Sequence, residues 1–129
     1  YRYTDQGLHS FTLRLVPHEG NWSGSSGLRQ ALLLNEPPLA LETHAHAGDR
    51  PGEDSFGSVS AANVDLRALK QAEDGGALIA RLVESSGRPA DGTLRLLGQD
   101  YSFQMRPLEI KTLKLAGGRS VEVDLLERE

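Results

Sequence analysis

The sequence predicts an all-β fold, an antiparallel β-sandwich of about seven or eight strands with one short helix. Apolar and polar residues alternate over several short segments, a pattern typical of half-buried strands. Turns that contain Gly or Pro separate these segments at the spacing that sandwich folds show. The chain has 129 residues, which suits one domain with one hydrophobic core. We therefore expect residues 1–129 to form a single domain.

The first predicted strand covers residues 9–16. Phe11, Leu13 and Leu15 lie on one face of an extended chain, with polar residues between them. This alternation indicates a strand with one buried face. Pro17 has no backbone N–H to donate to a neighbouring strand, so the strand is expected to end there.

His18 and Trp22 follow this strand, and Gly20 between them permits a turn. An imidazole and an indole at a strand end could bind a substrate, or they could cap the open end of a sandwich core. Large aromatic side chains serve most often in packing. We expect Trp22 to pack into the core with His18 hydrogen-bonded nearby, and we keep both as candidate substrate-binding residues.

The sequence favours one short helix over residues 28–35, with an extended buried run as the alternative. Leu28, Ala31 and Leu32 fall on one face at helical spacing. The two prolines at positions 37 and 38 prevent the helix from continuing.

A hairpin is predicted from strands at residues 58–69 and 77–84. The intervening Glu-Asp-Gly-Gly at 73–76 is strong turn chemistry, because Gly can adopt positive φ. The core of this hairpin is expected to contain Leu66, Leu78 or Ile79, and Leu82.

Four charged residues accompany the hairpin, namely Lys70, Glu73, Arg81 and Glu84. Opposite charges on paired strands stabilise a sheet by less than about 1 kcal/mol when they are exposed. We interpret these four as cross-strand ion pairs on a solvated face rather than as catalytic groups.

The remaining strands are predicted at residues 93–97, 101–106, 110–115 and 121–125. Gly98, Pro107 and the pair Gly117-Gly118 separate them.

Composition excludes several classes of partner. The net charge is -4 and the pI about 5.6, so neither nucleic acid nor an anionic membrane, which attract clustered Lys and Arg, is expected as a partner. No apolar run has the length of a membrane span.

The absence of cysteine excludes disulfides and allows a reducing compartment, and we expect a cytoplasmic protein. The chain begins near a strand without an initiator Met, which indicates a piece of a longer protein.

His44 and His46 are the residues most similar to a metal site. Two residues apart on a strand, both imidazoles would lie on one face. No Cys or third His is close in sequence, and the following Gly-Asp-Arg-Pro-Gly is typical of a loop. We expect a solvated pair of histidines and no metal ion or other cofactor in this chain.

Four segments resemble the C-terminal β-sandwich region of α-mannosidases of glycoside hydrolase family 38. One of them is A-x-x-x-N-x-P-P-L at residues 31–39. Residues 63–88 are similar to that family's hairpin, V-x-L-x-A-L-K-x-A-E-D followed by L-I-x-R-L-x-E-x-x-G. Residues 107–115 are similar to its P-F-E-I-K-T-L-x-L, with Leu108 where Phe is common. The first segment is similar to D-x-G-x-H-x-F followed by P-H-x-G-x-W, at Asp5, Gly7, His9, Phe11, Pro17, His18, Gly20 and Trp22.

The resemblance implies the same sandwich fold and a role in a larger enzyme. In that family a zinc ion and an aspartate nucleophile in an upstream catalytic domain hydrolyse α-mannosidic bonds with retention. Nothing in this chain matches the upstream catalytic pattern, so no catalytic or metal-binding residue is assigned here. The implied partners are the upstream catalytic domain of the same protein and mannose-containing glycans. The chain would support that domain and could form one wall of the substrate cleft; the alternative is a free-standing carbohydrate-binding module.

Overall fold

The computed structural model describes residues 6–22 and 26–128. The chain divides into two compact units, one ending at Ala45 and one beginning at His46. The prediction of a single domain stays a prediction. In chain order the elements are α1 (Gly27–Asn35), β1 (Gly57–Val59), β2 (Val64–Gln71), β3 (Leu78–Glu84), β4 (Ala90–Leu96), β5 (Gln99–Met105), β6 (Ile110–Ala116) and β7 (Arg119–Val123).

The first unit contains the predicted helix but not the predicted strand. Helix α1 confirms the helix expected at residues 28–35, and the Asn35 side chain donates to the Ala31 carbonyl at 2.9 Å near its end. The strand predicted at residues 9–16 is wrong, because residues 9–16 form no strand. Phe11, Leu13 and Leu15 are exposed there. Alternation produces a strand only where a neighbouring strand pairs with its backbone and a second layer covers its apolar face.

The second unit confirms the predicted antiparallel β-sandwich. One sheet has the strand order β1-β4-β5 and the other β2-β3-β6-β7, and every paired strand is antiparallel. The inward-facing side chains of the two sheets form one core. Its main members are Val64, Ala80, Leu82, Leu94, Leu96, Tyr101, Phe103, Met105, Leu113 and Leu115.

The strand predicted at residues 58–69 is in fact two strands in different sheets. Strand β1 pairs with β4, and β2 pairs with β3. Between them the chain passes from one sheet to the other through a turn in which the Val64 N–H donates to the Ala61 carbonyl at 3.2 Å. Alternation alone did not reveal this crossing, because both strands keep the same period of two.

The β2–β3 hairpin forms as predicted, with one irregularity. Leu66 lies opposite Leu82, and a register shift follows between Leu66 and Ala68. Such a bulge places an extra residue on one strand and changes its twist. Leu82 is buried in the core, with Leu66 and Leu78 packed against it. Ile79 is also buried. It is not part of the core between the two sheets, because its side chain lies on the opposite face of the sheet from those of Ala80 and Leu82.

Gly92 on β4 allows the ring of Phe103 to pack against the backbone. A Cβ at this position would lie 2.7 Å from the Phe103 Cζ and 3.1 Å from the Ala61 Cβ. We expect Gly92→Ala to lower the free energy of unfolding by about 1 to 3 kcal/mol, because the buried ring must shift. Urea titration measures this. Gly52→Ala is the matched control, since nothing lies within 4 Å of its added Cβ; equal values for the two variants would contradict the steric explanation.

Among the residues that the structure describes, no helix has the length and apolar character that crossing a membrane requires.

Candidate functional site

His18 and Trp22 lie in irregular chain before α1. The His18 Nδ1 is 3.3 Å from the carbonyl oxygen of Glu19, so its hydrogen bond is to the next residue. The expectation that Trp22 packs into the core is wrong, because 61% of its surface is exposed. Like the predicted strand 9–16, this expectation rested on a strand that does not form. A substrate-binding role for His18 and Trp22 stays a prediction.

The histidine pair is exposed and lies in irregular chain. The His46 Nδ1 is 3.0 Å from the carbonyl oxygen of Ala47, and both His44 and His46 are exposed. Within residues 6–22 and 26–128 there is no group of three or more His, Cys, Asp or Glu that could hold a metal ion.

A cleft of about 800 Å³ opens at one end of the sandwich, where the β2–β3, β4–β5 and β6–β7 turns meet. We call it the sandwich-end cleft. Leu78, Leu96, Leu115 and the ring of Tyr101 form its apolar wall, and none of the described residues that line it is charged. In an antiparallel sandwich alternate hairpin turns gather at the same end, so the cleft follows from the strand order.

The rim of this cleft has an unusual residue at its β4–β5 turn. Leu97 has a φ of 50° and is 63% exposed. Left-handed backbone is unfavourable for a residue with a bulky side chain, and Gly, Asn and Asp are the residues that normally adopt it. The amide of Gln99 stands beside Gly118, where an added Cβ would approach the Gln99 Oε1 to 3.1 Å. Apart from the glycines of the turns, nothing in the sequence indicates this cleft.

The opposite end of the sandwich is organised by a buried carboxylate. Glu84, the last residue of β3, is 1% exposed. Its Oε1 accepts hydrogen bonds from Asn63 Nδ2 at 2.9 Å, from Ser86 N at 2.8 Å and from Ser86 Oγ at 2.6 Å. Its Oε2 accepts from Gly87 N at 2.9 Å and from Leu108 N at 2.8 Å. One side chain therefore fixes both the β3–β4 and the β5–β6 connections.

These hydrogen bonds determine the ionisation of Glu84. Burial of the carboxyl group raises its pKa, but donation from Ser86, Leu108 and Asn63 outweighs burial and lowers the pKa to about 2. Glu84 is therefore a permanent anion at neutral pH. Its oxygens are saturated by donors, so it is suited to holding loops and not to proton transfer.

The predicted cross-strand ion pairs are only partly correct. Glu84 is not paired with Arg81, because residues three apart on a strand lie on opposite faces. Arg81 donates instead to Thr112 Oγ1 and to the carbonyl oxygen of Leu125, both at 3.3 Å. Lys70 pairs with Glu73 at 2.6 Å within the turn region and with Glu127 at 2.5 Å. The hydrogen bonds from Glu127 and Glu73 raise the pKa of Lys70.

The fold and the two ends of the sandwich define the class of the second unit: a small antiparallel β-sandwich domain. Residues 63–129 match the family described as glycosyl hydrolases family 38 C-terminal beta sandwich domain. The chain belongs to this family, which confirms the resemblance seen in the sequence. The matched part contains β2 to β7, and so both the Glu84 network and the sandwich-end cleft.

Curated relatives of the chain are α-mannosidases. Alpha-mannosidase 2C1 of Homo sapiens is 38% identical over 95 residues, which are 71% of this chain and 9% of that protein. Alpha-mannosidase 2C1 of Mus musculus is 38% identical over 90 residues, 67% of this chain and 8% of that protein. Alpha-mannosidase G of Dictyostelium discoideum is 29% identical over 89 residues, 64% of this chain and 8% of that protein. The matches thus span less than a tenth of these relatives, and no solved structure matches the chain significantly.

Proposed function

We propose that this chain is the C-terminal sandwich of an α-mannosidase-like glycoside hydrolase and supports an upstream catalytic domain of the same polypeptide. The observation that carries the proposal is the family match over residues 63–129, together with relatives that are α-mannosidases. The matched segment is only 8 to 9% of the length of those relatives, which leaves ample chain for a separate catalytic domain.

The proposed chemistry is retaining hydrolysis of α-mannosidic bonds in mannose-containing glycans. Retention needs two carboxyl groups about 5 to 5.5 Å apart, one as nucleophile and one as acid and base. Glu84, the most buried carboxylate described here, is saturated by hydrogen bonds. Glu84 is therefore a poor candidate for either carboxyl group. We place both of them, with the zinc ion that the family resemblance implies, in the proposed catalytic domain. A cytoplasmic location belongs to the same proposal, and a chain without cysteine is compatible with it.

The proposed supporting role can be tested by comparing the activity of the full-length enzyme with that of residues 1–129. We expect the full-length protein to hydrolyse 4-nitrophenyl α-mannoside and to lose turnover when a chelator removes zinc. We expect purified residues 1–129 to give no turnover with or without zinc. Turnover by the short chain that disappears when one of its own carboxylates is changed would overturn the supporting role.

The exposure of Trp22 supports a role for this residue in one wall of the substrate cleft. We expect Trp22→Ala in the full-length enzyme to leave Tm unchanged and to lower kcat/KM several-fold, because an exposed indole can contact a sugar but contributes little to packing. Phe56→Ala is the matched control, since Phe56 is 62% exposed. Equal kcat/KM for Trp22→Ala and the parent enzyme would exclude Trp22 from the substrate wall.

The exposure of Trp22 also favours a second candidate function, that of a free-standing carbohydrate-binding module. Sugars bind by stacking on exposed aromatic rings, and Trp22 is the only tryptophan of the chain. Its fluorescence can therefore be titrated directly with mannose oligosaccharides. A saturable change with residues 1–129 alone would support the module, and an unchanged spectrum would leave the supporting role as the better account.

A further inference from the structure

We propose that residues 124–128, which follow β7, form a releasable strap over the outer face of the four-stranded sheet β2-β3-β6-β7. In the closed position, which the structure shows, the strap buries that face. In an open position it uncovers Ile79 and Val123 while the core between the two sheets stays folded. The strap belongs to the sandwich itself, so it operates independently of the proposed catalytic role.

The outer face of this sheet is buried although it points away from the other sheet. Ile79 is 1% exposed, Thr112 2% and Val123 7%. In the register of the sheet, Thr112 lies opposite both Arg81 and Val123. Ile79 is two residues from Arg81 on β3, so all four side chains share one face, and the next residue, Leu82, faces the core. A segment outside the two sheets must therefore cover the outer face.

The strap supplies this cover. Strand β7 is at one edge of the sheet and β2 at the other, yet the strap contacts groups that reach it from β3 and from the end of β2. Arg81 Nη2 on β3 donates to the carbonyl oxygen of Leu125 at 3.3 Å. Glu127 Oε1 is 2.5 Å from Lys70 Nζ on β2, and Glu127 Oε2 accepts from the Glu73 N–H at 2.8 Å. The contacts of the strap thus bridge the full width of the sheet.

The strap is a closed turn in its own right. The Asp124 N–H donates to the Arg128 carbonyl at 2.9 Å, and the Glu127 N–H donates to the Asp124 carbonyl at 3.0 Å. Asp124 Oδ1 accepts from the N–H groups of Leu126 at 2.8 Å and of Arg128 at 2.9 Å. The Arg128 guanidinium pairs with Asp124 Oδ2 at 2.7 Å. Because these bonds stay within the segment, the strap can leave the sheet as one unit without losing its own structure.

The strap is held by charge and hydrogen bonds rather than by apolar burial. Leu125 is 59% and Leu126 69% exposed, and none of the strap residues belongs to the core. Release leaves no buried charge without a partner, because Lys70 keeps its pair with Glu73 at 2.6 Å while the Glu127 carboxylate enters water. Segments with few buried apolar contacts open at a lower free energy than the whole domain unfolds. The strap should therefore open while the sandwich remains folded.

Two valines of similar burial on opposite faces of the sheet provide the test. Val64 on β2 is 5% exposed in the core, and Val123 is 7% exposed on the outer face. Cysteine behaves as a small apolar residue and suits both positions. In the full-length protein we expect a maleimide to label Val123→Cys at least about tenfold faster than Val64→Cys, with labelling followed by mass spectrometry of each peptide. Equal rates would mean that the outer face opens only when the sandwich unfolds, and would overturn the inference.

Glu127→Asn tests whether this carboxylate keeps the strap closed. Glu127 has a φ of 64°, which Asn tolerates, but the shorter and uncharged side chain of Asn cannot pair with Lys70. We expect labelling of Val123→Cys to become at least about fivefold faster and labelling of Val64→Cys to stay unchanged. An equal increase at both positions would place the effect in global stability and overturn the inference, as would no increase at either.

Asp74→Asn is the matched control. It removes a carboxylate of the β2–β3 turn, not of the strap, that pairs at 2.6 Å with Lys114. Lys114 lies opposite Ile79, so this ion pair is on the same outer face. Labelling of Val123→Cys should not become faster. An increase as large as that caused by Glu127→Asn would show that any lost charge opens this face, and would overturn the role of the strap.

Hydrogen exchange tests the closed position without an introduced cysteine. The Glu73 N–H donates to Glu127 Oε2, so its exchange in the full-length protein should be several-fold faster in Glu127→Asn than in the parent. The Ala80 N–H, in the middle of β3, should exchange at an unchanged rate. Unchanged exchange at Glu73 would show that Glu127 does not hold the strap on the sheet, and would overturn the inference.

Discussion

Glu84→Gln is expected to lower the free energy of unfolding by about 3 to 5 kcal/mol, because it breaks a buried charge network from one side. An amide keeps one acceptor oxygen but turns an N–H₂ group toward donors. If the amide nitrogen takes the place of Oε2, the backbone N–H groups of Gly87 and Leu108 lose their acceptor. Each buried N–H left unsatisfied costs about 1 to 3 kcal/mol. Urea titration at pH 7 measures the change.

The control for this substitution is Glu53→Gln. Glu53 lies exposed in the loop before β1, so removing its charge should change the free energy of unfolding by less than about 0.5 kcal/mol. Equal effects at both positions would mean that net charge, and not the network around Glu84, governs stability.

Acid should destabilise the sandwich through the same group. The pKa of Glu84 falls from an ordinary value of 4.5 to about 2 on folding, which corresponds to about 3 kcal/mol. Because the folded pKa is the lower one, this stabilisation is complete above about pH 4.5 and is lost as the pH falls toward 2. We expect Glu84→Gln to lack most of this dependence. An identical slope of stability against pH in the parent and the variant would contradict the assignment of the charge to Glu84.

The sequence predicted those parts of the fold in which local pattern and tertiary pairing agree. The hairpin that contains Leu82 has alternating apolar residues on both strands and a Gly-rich turn between them, so both signals select the same pairing. The predicted strand 9–16 has the alternation alone. No strand forms there, and its apolar residues, such as Phe11, are exposed.

The candidate sites were harder to predict, because they depend on which residues meet in space. Glu84 belongs to a charged set that looked like a solvated face. Its buried carboxylate accepts hydrogen bonds from Asn63 and Leu108, which lie 21 and 24 residues away in the sequence. The left-handed backbone of Leu97 and Leu108 is also invisible in the sequence, since leucine is not a residue that signals positive φ. A glycine at either position would have marked the turn.

The largest effect from an apolar residue is expected at Leu82. This side chain has 0% exposure, lies opposite Leu66 on β2 and belongs to the core between the two sheets. Removing three carbon atoms there loses burial energy and leaves a cavity, so Leu82→Ala should lower the free energy of unfolding by about 2 to 5 kcal/mol. Urea titration should show a lower midpoint with an unchanged slope, because the surface exposed on unfolding stays nearly the same.

Leu69→Ala separates this cavity effect from a general loss of leucine. Leu69 is on the neighbouring strand β2 but is 46% exposed, so its truncation leaves a surface notch that water fills and should cost less than about 1 kcal/mol. The two variants therefore compare the same chemical change in a closed core and at its edge. A cost below about 0.5 kcal/mol for Leu82→Ala would place that side chain on the wrong face of the hairpin and contradict the register of β2 against β3.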